Sequence, residues 1–262
     1  MKERADKLLV KRGLAPTQKK AQAMIMAGLL SYRGPGILKP GSLVDEAAAL
    51  SLKDRTPFVS RGGLKLAEAL DRFAVDVRGA TAVDIGSSTG GFTDCLLQRG
   101  AGRIYAVDVD TKQLDWKLRG DPRVVLIEKN ARSLEPADLP EPPGLITMDV
   151  SFISLLKILP ALEAIPGDWV LLALIKPQFE ARRAEVGKKG IVRDPAVHEE
   201  VLRRIVRGAR ESGFLLRGLI PSATRGQKGN VEFFGHWART GPDPGLKADE
   251  TRIKEAVKYE SH

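Results

Sequence analysis

An open, mainly parallel α/β sheet of seven strands, the last one antiparallel, behind a small basic α+β module is the architecture this sequence predicts. Three observations carry that prediction. Seven apolar segments follow one another at 81–85, 103–107, 124–127, 145–148, 169–175, 214–220 and 231–238, and helix signals separate most of them. The last two have only the loop 221–230 between them, which favours a final strand that turns back antiparallel. Positive charge gathers at the N-terminus, where residues 1–40 hold nine Lys/Arg against two acids, +7 of the chain's +9.

Composition bounds the function. The chain has 262 residues, 43% of them hydrophobic, enough for one large domain with a real core and a small one. Its longest apolar run, Trp169 to Ile175, is far shorter than the roughly 20 residues that cross a bilayer. The start, Met1-Lys-Glu-Arg-Ala-Asp6, has no apolar stretch of the secretory kind, so a cytoplasmic location and no membrane partner are expected. Cys95 is alone, which excludes an intramolecular disulfide and a cysteine-based metal site. His198, His236 and His262 lack metal-ligand spacing, so no metal is expected. A monomer is the expected state. The concentration of charge in the first 40 residues reads as a module for a polyanion.

Residues 1–53 form the first domain. Glu3 to Arg12 has helical spacing, with Ala5, Leu8 and Leu9 on one side and Gly13 placed to end it. Thr17 is the expected N-cap of a helix over 18–27, with Ala21, Met24 and Ile25 inward and Gly28 at its end. Leu29–Arg33 reads as a strand, Gly34-Pro35-Gly36 as a turn, and Ser42–Val44 with Ala49–Leu52 as a further strand pair. Arg4, Lys7, Lys11, Arg12, Lys19, Lys20 and Arg33 are the cations expected to meet RNA. Residues 54–59 read as a linker, where Pro57 holds Thr56 extended. The sheet domain follows over 60–240. Residues 241–262 read as a charged tail with a short helix from about Ala248.

The order helix, Gly13, helix, Gly28, strand resembles the αL RNA-binding domain of a small-subunit ribosomal protein and of pseudouridine synthases. Leu8-x-x-x-x-Gly13 and Ala21-x-x-x-Ile25-x-x-Gly28 carry the likeness. Thr17-Gln18 followed by Lys19-Lys20 stands where that family has Ser-Arg, so the charge is displaced.

The sharpest local signal is Asp84-Ile-Gly86-Ser-Ser88-Thr89-Gly90-Gly91, between an apolar strand and a helix that starts at Phe92. Glycines at such a turn let a ligand approach the backbone. The spacing is not that of a dinucleotide fingerprint. It resembles the first motif of Rossmann-like methyltransferases, where the turn holds the methionine part of S-adenosyl-L-methionine. The second strand ends in Asp108, 24 residues after Asp84, where a carboxylate can accept ribose hydroxyls. The third leads to Asn130, which the same resemblance puts beside the adenine.

Four charged residues fall where the edge of such a sheet holds its ligand. Lys65 lies on the entering helix, Asp149 ends the fourth strand, Lys176 ends the fifth, and Glu232 begins the seventh. An antiparallel seventh strand starts at the carboxyl edge of the parallel ones, so the topology gathers Asp149, Lys176 and Glu232 near Asp84. These positions resemble the Lys-Asp-Lys-Glu tetrad of the FtsJ-like ribose 2′-O-methyltransferases. Ser60-Arg61-Gly-Gly-Leu-Lys65, Asp149-Val-Ser-Phe-Ile-Ser154, Lys176-Pro-Gln-Phe-Glu180 and Gly229-Asn-Val-Glu-Phe-Phe234 resemble the TlyA, or hemolysin A, branch. That resemblance spans residues 1–240 or so and implies methylation of cytidine ribose in ribosomal RNA, with ribosomal RNA or subunits as partners. It places Asp84, Gly86, Ser88, Thr89, Gly90, Gly91, Phe92, Asp108, Asn130 and Asp149 at the cofactor. In the mechanism expected here, Lys176 is the base, Asp149 and Glu232 position it, and Lys65 orients the hydroxyl.

The loop 180–195 bears Arg182, Arg183, Lys188 and Lys189, and with Arg61 and Arg225 it makes a basic surface suited to gripping RNA. Other activities fit less well. A base N-methyltransferase has an Asn/Asp-Pro-Pro-aromatic motif where this chain has Asp149-Val-Ser-Phe152. A 5-methylcytosine enzyme needs a catalytic cysteine, and Cys95 sits on the helix after the glycine turn, where a core role is expected. A haemolysin would need a membrane-active segment that the chain does not display. A non-catalytic assembly factor would keep the basic module but need not keep all four charged positions.

Overall fold

The structure, a computed structural model, describes residues 2–26, 30–32, 38–52, 57–226 and 228–259. It divides into two compact units, Met1–Thr56 and Pro57–His262.

The first unit contains β1 (Lys2–Arg4), α1 (Ala5–Lys11), α2 (Gln18–Met26), β2 (Leu30–Tyr32), β3 (Leu43–Asp45) and β4 (Leu50–Leu52). Leu8 and Leu9 of α1, Ala21 and Ile25 of α2, and Val44 of β3 form its core. Gly13 ends α1 with φ +69, a conformation glycine adopts at no steric cost. The Thr17 hydroxyl accepts the Lys20 N–H at 3.2 Å, the expected cap of α2. Two expectations need correction. Lys2–Arg4 is not helical but pairs with β3, Glu3 opposite Val44. Helix begins only at Ala5, beside the buried Asp6, whose carboxylate accepts the Arg4 guanidinium and the Lys7 N–H. The segments 42–44 and 49–52 do not pair with each other, because each finds a tertiary partner: β3 pairs with β1 and β4 with β2. Gly28, Arg33, the Gly34-Pro35-Gly36 turn and linker residues 54–56 lie outside the described residues.

The second unit starts with α3 (Gly62–Arg72), β5 (Thr81–Ile85), α4 (Gly91–Gln98), β6 (Arg103–Asp108), α5 (Trp116–Arg119) and β7 (Val124–Glu128). It continues with β8 (Leu145–Met148), α6 (Leu159–Glu163), β9 (Val170–Ile175), α7 (Pro177–Glu180), α8 (Pro195–Glu211), β10 (Leu215–Pro221), β11 (Phe233–Ala238) and α9 (Leu246–Tyr259). The seven strands form one sheet in the order β10-β11-β9-β8-β5-β6-β7. β11 lies antiparallel between β10 and β9, and the other pairings are parallel. Side chains alternate across the sheet. Val83, Ile85, Leu171 and Ala173 share one core with α8 and α9, while Ala82, Leu172 and Leu174 share the other with α3 and α4. This is the seven-stranded α/β fold the sequence predicts.

The charged tail expected at 241–262 is corrected by α9. Ile253, Ala256 and Val257 recur at helical spacing and join the core, and the buried Asp249 meets Arg210 at 2.7 Å. Polar residues dominate this segment's composition, but its apolar stripe is enough to dock it. Among the described residues, no helix is long and apolar enough to cross a membrane.

Candidate active site

From β5 the chain passes outward to β6 and β7, then returns to β8 on the other side of β5. Ligands of open α/β sheets bind where the order reverses in this way, outside the carboxyl ends of the strands. A cavity of about 640 Å³ opens there.

The glycine turn forms one wall. Gly86 has φ +81, and a Cβ there would come within 2.5 Å of the Asp149 carbonyl oxygen. Only glycine lets the turn press against the end of β8 in this way. Gly86, Ser88, Thr89, Gly91 and Phe92 line the cavity, and Ser87 and Arg61 join them. Gly90 faces away, towards Leu114 and Leu118.

Three further residues expected at the cofactor also lie outside the cavity lining. Asp84 is fully buried beneath the turn, accepting hydrogen bonds from the hydroxyls of Thr93 (2.6 Å) and Thr147 (3.2 Å). Its carboxyl supports the turn from inside and does not reach the cavity wall. Burial pushes its pKa up to about 7, against the pull of those two hydroxyls. Asp108 is half-buried at the end of β6 and accepts the Ser88 N–H at 2.9 Å, so it braces the outer side of the turn. Asn130 is exposed and accepts the Arg132 N–H at 3.1 Å as a helix cap. Neither Asp108 nor Asn130 lines the cavity.

The opposite wall carries the four charged residues. Phe233 pairs with Ile175, so the antiparallel register sets Glu232 beside Lys176 at the sheet edge. Lys176 Nζ lies 2.6 Å from Asp149 Oδ1 and donates to the Ser151 hydroxyl at 3.0 Å. Glu232 does not bond to Lys176. Its Oε2 accepts Lys65 Nζ, and its Oε1 accepts the Gln178 amide at 3.4 Å. The four residues therefore meet as two ion pairs, which corrects the expectation that both carboxylates position Lys176. The pairs differ in burial: the Glu232 side chain is 3% exposed and that of Asp149 is 23%. Two lysines and two carboxylates facing a ligand turn can orient a hydroxyl, and a lysine in its neutral amine form can receive the hydroxyl's proton.

Phe152 is a site residue that sequence reasoning missed. It lines the cavity, is 89% exposed, and has φ +64. For a bulky side chain that conformation costs on the order of 1–2 kcal/mol. Burial at this exposure recovers little of it, and the ring stands 4.8 Å from Phe179. Nothing in the sequence marks the strain, since a Phe in an apolar motif reads as core. Gln178 and Asn230 also line the cavity, and the sequence alone gives neither a role there.

Some of the basic residues are engaged within the first unit, and others have exposed side chains. Arg4 is held by Asp6 at 2.8 Å, and Lys11 lies 3.7 Å from Glu3 and 3.4 Å from Glu46. Arg12 donates to the carbonyls of Ala48 (2.8 Å) and Glu46, so its guanidinium holds a turn and is not presented to a ligand. Lys7, Lys19 and Lys20 are exposed. In the second unit, Arg182, Arg183, Lys188, Lys189 and Arg225 are exposed outside the cavity wall, while Lys228 and Gly190 line it.

Residues 58–239 match the FtsJ-like methyltransferase family. The chain is 49% identical to the protein YqxC of Bacillus subtilis over 268 residues, covering 100% of this chain and 94% of that one. It is 42% identical to the 16S/23S rRNA (cytidine-2′-O)-methyltransferase TlyA of Mycobacterium tuberculosis, covering 94% of this chain and 92% of the relative. A solved structure from Streptococcus thermophilus shares 43% identity and superposes with a TM-score of 0.75, covering 99% of this chain and 97% of that one.

Proposed function

The chain belongs to the TlyA branch of the FtsJ-like methyltransferases, and from that premise we propose that it methylates the ribose 2′-hydroxyl of a cytidine in ribosomal RNA. Its cofactor is S-adenosyl-L-methionine, which supplies an electrophilic methyl group. The residues present fit that molecule. The cavity has a volume suited to it, and Ser87 Oγ and Gln178 Oε1 are buried on its wall without a protein partner. Gly86 and Ser88 would hold its amino-acid end at the turn.

The observation that carries the reading is the pair of ion pairs opposite the turn. In the proposed mechanism, the Lys176 ammonium first releases a proton to solvent, and the neutral amine that remains takes the proton from the 2′-oxygen. Asp149 and Ser151 hold that nitrogen in place, and Asp149 stabilises the ammonium that results. Lys65, fixed by Glu232, donates a hydrogen bond to the same oxygen and steadies its developing charge. Phe152 offers a ring face on which the target base can stack. Lys7, Lys19 and Lys20 of the first unit act as an αL-type RNA module, and Arg61, Arg182, Arg183, Lys188 and Lys189 add phosphate contacts. The substrate is a ribosomal subunit or its RNA in the cytoplasm.

The test is methyl transfer from isotope-labelled cofactor to small and large subunits from a strain lacking the protein, followed by nucleoside analysis. Label in 2′-O-methylcytidine is the expected result. Label on a base would overturn the ribose assignment, and label in neither subunit would overturn the ribosomal one.

A further inference from the structure

We infer that a second cavity, about 500 Å³ in volume, seats a backbone phosphate of the RNA strand whose ribose enters the catalytic cavity. The inference rests on the RNA-methylation reading above. It concerns a site that the proposed methyl transfer does not use.

The cavity lies between residues 191–193, the start of α8 and the residues Arg225, Lys228, Gly229 and Val231, with Val257 of α9 in its lining. Arg193, Arg225 and Lys228 bring three cations to it. Among the described residues, no carboxylate lines it. Asp194, the acid next to Arg193 in the chain, is turned to the end of α8, where it accepts the Ala196 N–H at 2.9 Å. A guanidinium presents parallel N–H donors that match a phosphate, and Val231 and Val257 supply an apolar part of the lining.

The walls are held in advance. Asn230, 3% exposed, accepts the Val192 N–H at 3.0 Å and donates to the Gly190 carbonyl at 2.9 Å. One buried amide thus ties the two loops that bear the cations. His198 closes the floor, its Nε2 3.2 Å from the Val192 carbonyl oxygen. A preformed site loses less freedom on binding than a floppy one.

The link to the catalytic cavity is Lys228, which lines both. A strand with its ribose at Lys176 and Lys65 passes that shared cation, and its next phosphate meets Arg193 and Arg225. This arrangement would fix where along the RNA the enzyme sits, without reading a base.

The experiment uses the full chain and unmethylated ribosomal subunits from a strain lacking it. Arg193→Gln should reduce the slope of log affinity against log salt by about 1, the loss of one phosphate contact. KM for subunits should rise while kcat at saturating subunits and cofactor affinity hold. Arg193→Lys keeps the charge and should restore the slope. Wild-type slope and KM in Arg193→Gln, with wild-type protein still methylating, would overturn the phosphate seat and leave the methylation reading standing. Failure of the wild-type protein to methylate would overturn that reading instead. Should Arg193→Gln lose only sensitivity to added inorganic phosphate and keep the RNA slope, the cavity holds a free anion and the inference falls.

Discussion

Asp84→Asn isolates a proton that the folded chain holds beneath its ligand turn. Asp84 has no exposed surface, and burial lifts its pKa from 3.8 to about 7, with the Asp149 charge adding to the shift and the hydroxyls of Thr93 and Thr147 opposing it. Between those two values the native state keeps a proton that the unfolded chain has released. The unfolded state binds fewer protons there, so stability falls as pH rises through the window and levels off above about pH 7. Roughly three pKa units at about 1.4 kcal/mol each give about 4 kcal/mol in all, of which about 3 kcal/mol falls between pH 5 and pH 8. Asparagine keeps the shape and does not titrate. Guanidinium denaturation of both proteins from about pH 5 to pH 8 should show the wild type losing about 3 kcal/mol more than the variant. His198 and His236, whose pKa values burial lowers, titrate in both proteins and cancel in the difference. Parallel stability curves would refute the reasoning and mean that Asp84 is ionised at neutral pH.

Other perturbations separate the roles of the site residues. Lys176→Ala should lower methyl transfer at least about 100-fold with cofactor binding kept, and near-normal turnover would remove it as the base. Glu232→Ala strands Lys65 as a buried, unpaired charge and should cost about 3–5 kcal/mol by denaturation, part of which Lys65→Met combined with Glu232→Gln should recover. A loss under about 1 kcal/mol would mean that the pair does not form in solution. Phe152→Gly should raise stability by about 1 kcal/mol by releasing the positive φ, while RNA affinity drops by about 1–3 kcal/mol. Lower stability together with unchanged RNA affinity would make Phe152 a packing residue.

The sequence by itself determined the seven strands and the glycine turn, because apolar spacing and glycine placement are local signals. The short 221–230 loop likewise marked the last strand as antiparallel, and that placed Glu232 at the same edge as Asp149 and Lys176. Which charge meets which was decided only by the tertiary structure. Spacing states that Glu232 is near the edge, but the register of β11 on β9 and the approach of α3 give it to Lys65. The same limit explains Asp84, whose motif position says strand end while its burial depends on Thr93 and Thr147 from two other elements. It explains Arg12, which reads as a free cation until the carbonyls of Glu46 and Ala48 arrive from 34 and 36 residues away. It explains α9, where the composition reads as a solvated tail and a narrow apolar stripe finds α8 and β10. Hydrophobic periodicity records which side of an element is buried, and short motifs record which chemistry is available. Ion pairs, strained side chains and cavities are made by elements distant in sequence, so they exist only once the chain has packed.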